Sequence, residues 1–158
     1  MARPAPLPFR IKLPGEESVN LTEVRDISRR AEGLLHLFDD AVLLEWAVTE
    51  AVEEVGLSGV SSNTETFARE ELEVPLSWIA GAELVGGILL PRLVLRAHAL
   101  SVFEEVPGAK ADRLELRYAR RDRMVAVAML HALTAALDAL PATDEVPEIT
   151  PGAFRPGE

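Results

Sequence analysis

Residues 112–140, DRLELRYARRDRMVAVAMLHALTAALDAL, change period part-way along. From 112 to 119, Leu114, Leu116 and Tyr118 alternate with Arg113, Glu115 and Arg117, the two-residue repeat of a half-buried strand. Beyond Arg120 the repeat lengthens. At about 100° per residue, Val125, Ala126, Met129, Leu130, Leu133, Ala136, Leu137 and Leu140 fall on one side of a helix. Pro141 ends it, because the residue before a proline is driven out of the helical region. A last strand followed by one long amphipathic helix, residues 120–140, sets the class as mainly β with a C-terminal helix.

Upstream, the two-residue period recurs in short segments. Phe9, Ile11 and Leu13 alternate with Arg10 and Lys12 until Pro14-Gly15 breaks the pattern. Leu35 and Leu37, then Val42, Leu44, Trp46 and Val48, form a hairpin about the Asp39-Asp40 turn. Leu72, Val74 and Leu76 point one way, with Pro75 suited to a strand end. Ala82 and Leu84, a Gly86-Gly87 turn, and Leu93 with Leu95 give two more strands. Two segments read differently. Asn20 with Glu23 resembles a capping box, and Leu21, Val24, Ile27 and Ala31 continue at helical spacing to Gly33, so a short N-terminal helix is expected. The Gly, Ser, Asn and Thr of residues 56–66 predict a loop. The resulting organisation is a proline-rich arm at 1–8, one domain at 9–140, and a proline- and acid-rich tail at 141–158.

Composition removes whole classes of function. The chain has 158 residues and no cysteine, so disulfides, thiolate nucleophiles and sulfur-ligated zinc are excluded. The three histidines, His36, His98 and His131, lack chelating spacing, and no metal site follows. Neither a phosphate-binding glycine loop nor a nucleophile elbow is present, so no cofactor and no catalytic residue is assigned. The longest uncharged run, residues 124–137, is too short to span a bilayer, and the first residues lack a secretory apolar run. The expected location is cytoplasmic. A formal net charge of −10 argues against nucleic acid and anionic surfaces as general partners. The charge is nevertheless unevenly distributed. Residues 39–91 hold eleven acids and one base, whereas residues 92–123 hold eight bases and five acids.

Two surfaces are candidates for contact. The far side of the last helix carries Met124, Val127, Ala128, His131 and Ala135 with few charges. It reads either as an alanine-rich solvent face or as a surface for self-association or a protein partner. Arg92 and Arg96 share one strand face, and Arg113 and Arg117 share another. If those strands are neighbours, the four line one surface. They then either pair with acids such as Glu45 or Glu115, or hold an anion or an acidic peptide.

The run Glu73-Val74-Pro75-Leu76-Ser77-Trp78-Ile79-Ala80-Gly81-Ala82-Glu83-Leu84, with residues 92–96 and 121–123 later, resembles small bacterial pleckstrin-homology-like (PH-like) domains over residues 34–140. The resemblance implies a strongly bent seven-strand antiparallel sheet, or a partly open barrel, capped by the helix. It also implies a non-enzymatic interaction module, with a ligand-binding barrel or a dispersed active site as the alternative. Lipid-binding members present bases in their first hairpin loop. Here the corresponding turn is Asp39-Asp40, so phosphoinositide binding is not expected.

Overall fold

The computed structural model describes residues 3–141. Eight strands precede one helix: β1 Leu7–Val19, β2 Glu23–Leu37, β3 Ala41–Gly56, β4 Gly59–Thr66, β5 Glu70–Pro75, β6 Ile79–Val85, β7 Arg92–Ala97, β8 Arg113–Arg117 and α1 Arg123–Asp138. All the ladders are antiparallel, in the order β4-β3-β2-β1-β8-β7-β6, with β5 also on β3. Thr66 lies opposite Thr49 and Glu70 opposite Trp46, so residues 67–69 face only residues 47–48. That extra residue makes β4 and β5 one bulged strand whose outward and inward positions exchange at the bulge. Counted so, the sheet has seven members.

Alternation drives the burial. Leu7, Phe9 and Ile11 are buried while Pro8, Arg10 and Lys12 are exposed. Leu35 and Leu37 of β2, Leu44 and Trp46 of β3, Leu72 and Val74 of β5, Leu93 and Leu95 of β7, and Leu114 and Leu116 of β8 belong to the same core, as does Phe103 from the β7–β8 connection. Helix α1 closes it, packing chiefly on β6 and touching β1. Its Ala126, Met129 and Leu133 are fully buried, and Val125, Leu130, Ala136 and Leu137 pack at the margin. The turn Leu76–Trp78 carries the chain from β5 to β6, and among the described residues no ladder joins those two strands. The sheet is therefore not closed by hydrogen bonds between β5 and β6.

Three expectations are corrected. Residues 23–37 form β2, not an N-terminal helix. The hydrogen bond expected of the Asn20 cap does form, with the Thr22 N–H donating to Asn20 Oδ1 at 3.0 Å, but it closes the β1–β2 turn. Ile27, Ala31 and Leu35 are four apart, a spacing that keeps residues on one face in a helix and in a strand alike. Gly33 does not end a helix either. It lies opposite Trp46, and a Cβ there would sit 1.7 Å from the Glu45 carbonyl oxygen, so only glycine admits β3 at this distance. The second correction is that residues 59–66 are strand β4, every one exposed, rather than loop. The distal halves of β2 and β3 with β4 form an arm beyond the core. Pro14-Gly15 does not end β1, whose register shifts between Leu13 and Glu16 and then continues to Val19.

Candidate functional site

Strands β7 and β8 are neighbours, so the arginine quartet is brought together. Arg92 lies directly opposite Arg117, and Arg96 opposite Arg113, with Val94 and Glu115 between the two pairs. Half of the quartet is neutralised: Arg96 pairs with Glu83, and Arg113 donates to Glu115 at 3.1 Å. Glu45 takes no part, because its Oε2 lies 2.8 Å from Nε2 of His36 instead. Among the described residues, Arg92 and Arg117 are left without an acid, and the buried Nε of Arg92 has no partner.

Arg117 belongs to a different grouping. β1 meets β8 through a single register pair, Arg10 opposite Arg117, and from there the two strands diverge. A groove of about 380 Å³ opens along this seam. Its basic lining consists of Arg10, Lys12, Arg30, Arg117 and Arg120, and none of its lining residues is acidic. The alternation that buries Phe9 and Ile11 turns Arg10 and Lys12 outward, and β2 brings Arg30 opposite Lys12. Arg120 arrives on the short turn that leads into α1. Only Arg30 has a carboxylate, Glu32 at 2.9 Å. Arg10, Lys12, Arg117 and Arg120 have no ion-pair partner among the described residues.

On the distal arm the sheet neutralises Arg25 and Arg29. Arg29 sits 3.0 Å from Glu50 and 3.8 Å from Glu16, and the Glu50 hydrogen bond pushes its pKa still higher. Arg69, Arg92, Arg121 and Arg123 also have no ion-pair partner among the described residues, so what sets this wall apart is that three unpaired arginines and Lys12 share one cavity with no acidic lining residue. A second cavity, of about 410 Å³, continues the seam past Arg10, Arg117 and Tyr118 to Arg121, with Glu32 and Asp122 on its rim. Planar guanidinium forks from three strands suit multidentate recognition of a carboxylate or phosphate.

Arg10, Lys12, Arg30 and Arg120 were not legible as site residues in the sequence. Their one signal is the basic half of the β1 alternation. Met124, Ala128, His131 and Ala135 are exposed on α1 and Val127 is half-buried, with nothing among the described residues covering that face. His98 is exposed as well, and no group of three His, Asp or Glu able to hold a metal ion occurs among the described residues. No described helix is long and apolar enough to cross a membrane. The first hairpin turn proves to be residues 20–22, between β1 and β2, and Asp39-Asp40 closes the second hairpin. Asn20, Leu21 and Thr22 carry no base. Compared with known proteins, the chain matches no family model, no curated protein and no solved structure.

Proposed function

We propose that the chain is a PH-like binding module that holds an oxyanion, phosphate or carboxylate, in the groove between β1 and β8. The observation that carries this reading is the set Arg10, Lys12, Arg117 and Arg120, which among the described residues lines one cavity with no acid on its wall and no ion partner for any of the four. Like charges on adjacent strands cost stability, and Glu32, the acid opposite Arg10 in the register, is held by Arg30, so the arrangement favours an external anion as the missing partner. The PH-like part of the proposal is supported by the meander β1 to β5, the return of β8 to β1, the seven-member sheet once β4 and β5 are joined, and the helix after the last strand.

Calorimetric titration with inorganic phosphate and pyrophosphate tests the reading. Binding should weaken as salt rises and be abolished in Arg10→Ala with Arg117→Ala. Arg96→Ala is the control, because Arg96 already holds Glu83 and lies off the groove. Binding that survives the double substitution, or that falls equally with Arg96→Ala, would reject the groove as the site.

A further inference from the structure

The groove has an apolar wall as well as a basic one. Ile11, Leu89, Leu90 and Pro91 line the same cavity as the five bases. A recess of about 70 Å³ next to it is bounded by Ile88, Pro91, Tyr118 and Arg120. Ile88, Leu89 and Leu90 are 67%, 80% and 54% exposed, so three consecutive large aliphatic side chains stand in water beside unpaired arginines.

The backbone holds them there. Gly86 and Gly87 have φ of +87° and +57°, and a Cβ on Gly86 would lie 1.8 Å from the Leu90 carbonyl oxygen. The Leu90 N–H donates to the Gly86 carbonyl at 3.3 Å, and the Tyr118 N–H donates to the Pro91 carbonyl at 3.3 Å. The turn is thereby closed on itself and tied to the groove wall, so the exposed aliphatics are part of a defined surface. A bare oxyanion would occupy the bases and leave this apolar wall wet.

We infer that the ligand is amphiphilic: a phosphate or carboxylate head seated among Arg10, Lys12, Arg117 and Arg120, carrying an alkyl chain that lies against Leu89, Leu90 and Pro91. The inference rests on the anion-binding reading above and adds the chemical class of the ligand. Each methylene removed from water strengthens binding about fourfold, so partial cover of a few methylenes gives at least about a tenfold preference over the bare head. The chain has two sources, a single amphiphile molecule or the surface of an anionic bilayer, and the two share this chemistry.

Full-length protein titrated with inorganic phosphate, and with dodecyl phosphate below its micelle concentration, reads the preference directly. Dodecyl phosphate should bind at least about tenfold more tightly, and the ratio of the two affinities should fall toward one in Leu89→Ser with Leu90→Ser. Sedimentation with phosphatidylcholine vesicles, with and without phosphatidylglycerol, separates the sources. Capture by anionic vesicles alone, lost in the double serine variant, assigns the amphiphile to a bilayer. Tight dodecyl phosphate binding without vesicle capture assigns it to single molecules. Equal affinities for the two phosphates would overturn the amphiphile while leaving the anion site standing. No binding of either would remove both.

Discussion

Arg117→Gln should make the protein more stable. Arg117 lies opposite Arg10 on one side and Arg92 on the other, and among the described residues none of the three forms an ion pair, Glu32 opposite Arg10 being held by Arg30. Directly opposed residues have Cβ atoms about 5 Å apart. With the guanidiniums splayed to about 7 Å, each like pair costs about 0.6 kcal/mol in water, and the two together about 1.2 kcal/mol. At 0.1 M salt the Debye length of about 10 Å roughly halves that figure. Glutamine keeps part of the aliphatic stem and removes only the charge. The variant should therefore gain about 1 kcal/mol at about 10 mM salt and almost nothing at about 1 M, where the Debye length is about 3 Å. Urea denaturation of both proteins at the two salt concentrations measures this, with the denaturant slope unchanged. Added phosphate should close the gap by stabilising the wild type through binding. A variant less stable than wild type at low salt, or a difference indifferent to salt, would refute the claim that these charges repel one another in the empty groove.

Other substitutions test the frame that positions the site. Gly33→Ala places a Cβ against the Glu45 carbonyl oxygen and should cost about 3 kcal/mol or more, read as a drop in urea midpoint; a near-neutral result would mean that β2 and β3 separate easily there. Leu133→Ala opens a cavity beneath α1 and should cost about 2–5 kcal/mol, checked by thermal unfolding. Trp46 is buried with its indole N–H unpartnered among the described residues, so Trp46→Phe exchanges lost ring contacts for relief of an orphan donor. It should stay within about 1 kcal/mol of wild type while Trp46→Ala loses about 3–5 kcal/mol, and equal losses for the two would contradict this account.

Strand identity was legible where an apolar–polar alternation met a buried face, as at Leu72 and Val74, Leu93 and Leu95, and Leu114 and Leu116. It failed where alternation carried no burial signal. β4 has both faces in water, so Ser61, Ser62, Asn63 and Thr64 look like loop residues although each is held opposite β3. It failed again where one spacing served two structures, as for Ile27, Ala31 and Leu35, and the Asn20 side chain that caps a turn would cap a helix with the same bond. The arginine quartet was seen as a set, but local sequence could not divide it. Arg96 and Arg113 have their acids close by, on β6 and on β8 itself, whereas Arg117 is defined by β1, from the opposite end of the chain.

On the proposed anion-binding reading, net charge is a poor guide for a related reason. A total of −10 predicts repulsion of anions only at distances where the protein acts as one charge. At physiological salt the Debye length is about 8 Å, so an anion in the groove responds chiefly to charges within about one or two strand spacings. There it meets Arg10, Lys12, Arg117 and Arg120, with Glu32 already engaged by Arg30. Many of the acids lie elsewhere, several of them on the distal arm, where Glu50 and Glu54 are occupied by Arg29 and Arg25. Long-range repulsion and short-range attraction should therefore respond oppositely to ionic strength. Association of an anion should be slowest at the lowest salt, while the bound state is tightest there, so raising salt should first speed association and then weaken the complex. Stopped-flow titration across ionic strength separates the two effects. An association rate that falls steadily from the lowest salt upward would mean that the groove's own field reaches beyond the acidic surface, and that the local and global charges are not separable in this way.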